Sequence, residues 1–169
     1  LQSPQYDLQA LRVDQFLFDH RDAMVFIAAG NEGADTDNNG IPDPGTVSSP
    51  ATAKSAVVVG ASYNANDTGT GVDANSRTAF SSTGPAVPAD ALLRVAPVLM
   101  APGDDQFSLA NMGVDSEFHC RTQDNDQLDP VECDLVRGLS GTSFASPAAA
   151  GAGLLVRDYF YQGFYPDGT

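Results

Sequence analysis

Ser143 lies in the stretch Gly138-Leu139-Ser140-Gly141-Thr142-Ser143-Phe144-Ala145-Ser146-Pro147, which runs straight into Ala148-Ala149-Ala150-Gly151-Ala152-Gly153-Leu154-Leu155-Val156. The segment after the polar turn is too long for a loop and too rich in Ala and Leu for a strand, so it predicts a buried helix. Pro147 is tolerated only in or beside a first turn, which sets the helix start near Thr142. Ser143 then sits where unpaired N–H groups and the positive end of the helix dipole favour a negative oxygen. That is the requirement of acyl transfer. A serine at a helix start can also be no more than a cap. The short Gly-x-Ser-x-Gly elbow does not fit, because Ala145 falls where its second glycine belongs.

A second candidate is Asn31 in Gly30-Asn31-Glu32-Gly33, directly after the apolar run Ala23-Met24-Val25-Phe26-Ile27-Ala28-Ala29. That run has strand length and is apolar on both faces, as a covered parallel sheet requires. An amide side chain at the C-terminal end of such a strand can donate N–H to a developing oxyanion. Alone, Gly-Asn reads as a turn.

The elements that must hold these two residues are legible around them. Residues 6–20, with Leu8, Leu11, Phe16 and Leu17 spaced by polar residues and Val13 and Phe18 beside them, predict an amphipathic helix. Residues 57–62 predict a second buried strand and residues 95–100 a third.

Taken together, Gly141 to Pro147 and the small residues after it resemble the nucleophile motif of subtilisin-like serine peptidases, the subtilases. The resemblance extends to Val-Phe-Ile-Ala-Ala-Gly-Asn ending at Asn31, the Val57–Ala61 strand after a Pro-bearing loop, Phe80-Ser81-Ser82-Thr83-Gly84-Pro85, and Met100-Ala101-Pro102-Gly103. It implies an α/β fold, a subtilisin-like three-layer parallel sheet of which this chain holds the C-terminal part only. It implies Ser143 as nucleophile, with Asn31 and the Ser143 backbone N–H at the oxyanion. It also implies a polypeptide substrate, with Ala28, Ala29 and Gly30 forming one wall of its pocket beside Thr142. The two serine-rich and proline-rich turns read as scaffold markers.

Residues 1–169 are one domain in size, a partial peptidase domain carrying a variable acidic insertion at about 104–137. Within that insertion, Cys120 and Cys133 predict one local disulfide in an exported protein and free thiols in a cytosolic one. A zinc site of His119, Cys120 and Cys133 lacks a fourth ligand and the usual spacing. In the loop Asp35-Thr36-Asp37-Asn38-Asn39-Gly40-Ile41-Pro42-Asp43, oxygen donors alternate as in an EF-hand loop and the short acidic repeats of thrombospondin type 3. The expected calcium ligands are Asp35, Asp37, Asn39, the Ile41 carbonyl and Asp43. Thr46 replaces the usual twelfth-position Glu, and an Asx-rich turn is the alternative.

The chain carries 22 acidic and 8 basic residues, a formal charge of −14, with 19 of the acids Asp and Lys54 its one lysine. Such a surface repels nucleic acid and anionic lipid. No apolar window is long enough to span a membrane. The N-terminus shows no charged segment leading into an apolar stretch, so an export signal is expected outside this sequence or removed. The resemblance implies a secreted or extracytoplasmic location.

A serine hydroxyl needs a base and a group to orient it, and the subtilisin order is Asp, His, Ser. Neither His20 nor His119 has the Gly-Thr-His surroundings of the family's base, and no Asp follows the expected apolar strand. The resemblance therefore implies that the triad Asp and His come from an N-terminal part of the same peptidase domain that is absent here, leaving the isolated chain inactive. The rival readings are a non-catalytic fragment that binds calcium or a partner, and a self-contained hydrolase using His20 or His119. Half a parallel sheet also predicts an unpaired edge and an uncovered face, hence association or aggregation of the isolated chain.

Overall fold

The computed structural model describes residues 5–39, 42–64, 76–86, 94–109 and 135–163. Among them the chain order is α1 (Leu8–Asp19), β1 (Phe26–Ala28), β2 (Val57–Ser62), β3 (Leu99–Pro102), β4 (Gln106–Leu109), β5 (Leu135–Leu139) and α2 (Thr142–Tyr161). The first three strands form a parallel sheet in the order β1-β2-β3, with Phe26 opposite Val57 and Val59 opposite Leu99.

Side chains alternate across a strand, and here the alternation assigns one helix to each face. Phe26, Val57, Val59 and Ala61 point to one side, where Val59 and Ala61 pack with Ala145 and Ala149 of α2. Ile27, Val58 and Ala29 point to the other, against Val47, Ala51, Ala86 and Ala96. On that second side α1 buries Ala10 and Leu17 against Ala53 and Ala56, with Val13, Val25 and Ile27 beside them. The layers are therefore α1, sheet, α2. Gly153 lets α2 lie directly on the sheet, since a Cβ there would meet the Phe26 ring at 2.6 Å.

Helix α1 starts where Asp7 accepts hydrogen bonds from the N–H groups of Gln9 (2.9 Å) and Ala10 (3.2 Å). Its inward stripe is Ala10, Val13 and Leu17, whereas Leu8, Leu11 and Phe16 are exposed. The sequence pattern weights the large apolar residues, but it is the small Ala10 that is fully buried, in one cluster with Ala53 and Ala56. Midway along α1, Asp14 accepts from the Tyr6 hydroxyl (2.7 Å), Lys54 N–H (2.9 Å) and Ser55 N–H (2.7 Å). Partial burial opposes its charge, yet these donors together hold the carboxyl below its ordinary range. The same setting, burial first and the Asp14 bond second, pushes the Tyr6 hydroxyl up to about 12.

The third strand starts later than the apolar run 95–100 suggests. Pro97 has no N–H to place in a ladder, so pairing begins with Val98 N–H donating to Val58 O (2.9 Å) and the strand runs on to Pro102. Helix α2 continues through Tyr161. β4 and β5 pair antiparallel, Gln106 opposite Leu139. His119, Cys120, Cys133, Gly40 and Ile41 lie outside the described residues.

Candidate active site

The site forms where β1 ends and α2 begins. The ladder continues one residue past β1, with Ala29 N–H donating to Val59 O at 2.9 Å. The chain then leaves the sheet through Gly30, whose φ of 108° is one that L side chains rarely adopt. This turn brings Asn31 over the first residues of α2, 111 positions later in the chain.

The contact is specific. Asn31 Oδ1 accepts from the Thr142 backbone N–H at 2.9 Å and from Thr142 Oγ1 at 3.0 Å. Thr142 Oγ1 in turn accepts from Gly30 N–H at 3.2 Å. Thr142, 1 % exposed, thus uses its N–H and its hydroxyl to lock the carbonyl side of the Asn31 amide. The amide's Nδ2, a donor only, is thereby turned away from Thr142. A Cβ built on Gly141 would lie 3.4 Å from Asn31 Nδ2 and 3.7 Å from the Ser143 nitrogen. Two N–H donors therefore border one small space that a side chain at position 141 would fill.

Ser143, the second residue of α2, is exposed, and among the described residues its hydroxyl has no hydrogen-bond partner. Its N–H is at a helix position with no intrahelical acceptor. Gly103 makes the approach of the helix start to the sheet possible. Its carbonyl accepts from Gly141 N–H at 2.7 Å and its N–H donates to Ser62 O at 3.0 Å. A Cβ on Gly103 would lie 2.7 Å from Ala61 Cβ and 2.8 Å from Gly141 O. Just upstream, Ser140 Oγ donates to Asp104 Oδ1 at 2.6 Å and accepts from Asp105 N–H, so Asp104 is engaged in fixing the turn.

The residues expected to line a substrate pocket divide by exposure. Ala28 and Gly30 are half-buried, while Ala29 and Thr142, each 1 % exposed, are enclosed in the core.

His20 is not brought to Ser143. It caps the end of α1, against Phe16 at 4.6 Å between ring centroids, before β1 begins. Arg157 of α2 donates to the Asp22 carbonyl at 2.9 Å, so α2 runs antiparallel to the strands and returns to the His20 end. Fifteen residues of helix separate Thr142 from Arg157, roughly 22 Å at 1.5 Å per residue. A base at His20 is thus a helix length from the hydroxyl it would serve.

The acidic loop folds on itself. Asp35 Oδ1 and Asp37 Oδ1 accept from Asn39 N–H (3.0 and 3.3 Å), Asp37 Oδ2 from Asn39 Nδ2 (2.8 Å), and Asp43 Oδ2 from Thr36 N–H (3.1 Å) and Oγ1 (2.6 Å). Among the described residues no three His, Cys, Asp or Glu side chains gather as metal ligands.

A large apolar groove lies elsewhere. It measures about 990 Å³ and runs beside the middle and end of α2, between Met24, Phe26, Val57, Met100, Val156 and Phe160. It is an uncovered apolar face rather than a cleft at Ser143. Among the described residues no helix is long and apolar enough to cross a membrane.

Sequence reasoning passes over the supporting role of the Phe80–Pro85 turn. Ser82, fully buried, donates its N–H to Gly30 O at 2.9 Å and accepts Glu32 N–H at its Oγ at 3.1 Å. Its pairing with residues fifty positions earlier leaves no local signature.

No curated protein matches the sequence. Among solved structures, the chain is similar to the prenylagaramide maturation protease PagA, with a TM-score of 0.53 and 21% identity. That similarity covers 99% of this chain and 44% of that one, so the chain spans less than half the length of this solved relative. The model of the subtilase family, peptidase S8, matches residues 3–167. With that match over nearly its whole length, and a parallel sheet flanked by helices, the chain belongs to the subtilase family.

Proposed function

We propose that this chain is the nucleophile and oxyanion part of a serine endopeptidase that cleaves polypeptides through an acyl-enzyme. The observation that carries the reading is the bond from Thr142 N–H to Asn31 Oδ1, which joins the strand end and the helix start into one site. Ser143 Oγ attacks the peptide carbonyl, and the oxygen that becomes negative sits between Asn31 Nδ2 and Ser143 N–H. Because Thr142 holds the amide before the reaction, little reorganisation accompanies charge development. The backbone of Ala28, Ala29 and Gly30, with Thr142 behind it, lines the side of the bound peptide. Similarity to PagA, itself a maturation protease, supports a polypeptide substrate.

The base and its orienting carboxylate come from another part of the same peptidase domain, an N-terminal segment bearing the triad Asp and His. Two features support this: the described residues offer no imidazole near Ser143, and the apolar groove along α2 is a surface that such a segment would cover. The isolated chain is then inactive. Calcium, held by Asp35, Asp37, Asn39, Ile41 O and Asp43, would stiffen the loop that follows Asn31. A secreted or extracytoplasmic protein with a Cys120–Cys133 disulfide completes the reading. A rise in melting temperature with calcium over EGTA, and a 2 Da gain on reduction, test these two points.

The same uncovered groove favours a second reading, a non-catalytic fragment that keeps the fold and binds a partner or calcium. A serine-reactive fluorophosphonate separates the two, because labelling requires an activated hydroxyl. Labelling of the full-length protein at Ser143, lost in Ser143→Ala, supports the peptidase. Absence of labelling in a folded preparation supports the binding fragment.

A further inference from the structure

Asn31 is exposed, on a turn just outside the sheet, yet an oxyanion donor must be held within a fraction of an ångström. Thr142 fixes only its side-chain oxygen. What fixes its backbone is Ser82. The two peptide groups flanking Asn31 both bond to this one residue: Gly30 C=O accepts from Ser82 N–H (2.9 Å), and Glu32 N–H donates to Ser82 Oγ (3.1 Å). The next N–H along, that of Gly33, donates to Phe80 O at 2.8 Å, which extends the same pairing by one residue. Ser82 Oγ also occupies the space beside Gly30, only 2.8 Å from where a Cβ on that residue would sit. It is buried with no exposed surface, so its hydroxyl has no solvent role, and Glu32 N–H is the partner the structure gives it. A buried hydroxyl aimed at a turn amide, rather than an apolar side chain of similar size, needs a reason.

We infer that Ser82 is a positioning residue for the oxyanion donor: by gripping the peptide groups on both sides of Asn31 it sets where Nδ2 points. The inference rests on the reading of Asn31 as that donor. Ser82 touches neither substrate nor the reacting atoms, and acts only through Asn31.

The test is a double-mutant cycle of Ser82→Ala and Asn31→Ala in the full-length protein that carries this sequence, with amide exchange at Glu32 followed in parallel. Ser82→Ala removes one oxygen and leaves Glu32 N–H without its acceptor. It should lower kcat about tenfold with KM changed less than about twofold, and speed exchange at Glu32. In the Asn31→Ala background the same change should cost less than about twofold. Ser82→Cys, which keeps the shape with a weaker acceptor, should fall between Ser82→Ala and the parent and covers a failure of the alanine variant to fold. Equal losses of kcat in both backgrounds, or unchanged exchange at Glu32, would overturn the inference. If Asn31→Ala itself leaves kcat intact, the oxyanion reading fails first and takes the inference with it.

Discussion

The two halves of α2 present opposite surfaces. At its start, Thr142 is 1 % exposed and Ala145 fully buried, and Thr142 N–H, Thr142 Oγ1 and Gly141 N–H all meet acceptors on the sheet ends. At its far end, Leu154, Leu155 and Val156 are 67 %, 74 % and 56 % exposed beside an apolar groove. One helix is thus locked at the end that holds the proposed nucleophile and exposed at the other. On the proposed reading, the site half built from this chain depends on contacts within the chain, whereas the cover over the groove would come from another segment. The catalytic geometry and the closure of the fold are separable problems in this molecule.

Breaking the locked end should have the largest effects. In the full-length protein, Ser143→Ala should reduce kcat for peptide hydrolysis by about 10⁶, since a nucleophile acts as a unit with its base. Steady-state kinetics on a peptide substrate measures this. Asn31→Ala should cost about 10²–10³ in kcat with little change in KM, because the donor serves a charge present only in the transition state.

Substitutions at two glycines sharpen the contrast as stability differences. Gly103→Ala forces a Cβ against Ala61 Cβ, Gly141 O and, at 3.2 Å, Ala145 Cβ, and should destabilise by about 1–3 kcal/mol in urea denaturation. Gly151→Ala, midway along the same helix with nothing within 4 Å of the new Cβ, should instead stabilise by about 0.5–1 kcal/mol. A destabilising Gly151→Ala would mean that the exposed side of α2 is already covered.

The smallest effect concerns Asp14, far from either end of α2. Its carboxyl titrates below the unfolded value, so its contribution to stability is present above that value and is lost as pH falls through the folded one. Melting temperatures measured on descending below pH 4 should therefore drop less steeply in Asp14→Asn than in the parent. An equal slope would assign the acid sensitivity to other carboxylates.

What can be read from the sequence follows from how local each signal is. The helix that carries Ser143 announces itself in consecutive residues, and the structure starts it at Thr142 with Pro147 inside it, in the second turn. The strand before Asn31 is a contiguous apolar run, so it too is visible, though its ladder is shorter than the run. The face of α1 is misjudged when side-chain size is weighed without knowing that Ala53 and Ala56 press against Ala10. The grips of Thr142 on Asn31 and of Ser82 on its flanks join residues 111 and about fifty positions apart. Such pairs carry no spacing that a single sequence can display. His20 shows the converse: a residue type suited to the chemistry, at an end of the sheet that only the direction of α2 reveals.

On the proposed reading, a separate Asp- and His-bearing segment completes the Ser143 site and covers the groove along α2. Intact mass spectrometry of the native protein, under non-denaturing and then denaturing non-reducing conditions, tests it directly. The expected result is additional polypeptide, covalently continuous or tightly associated, containing an Asp-bearing apolar strand and a Gly-Thr-His segment. A native species made of this chain alone that still hydrolyses peptides through Ser143 would contradict it.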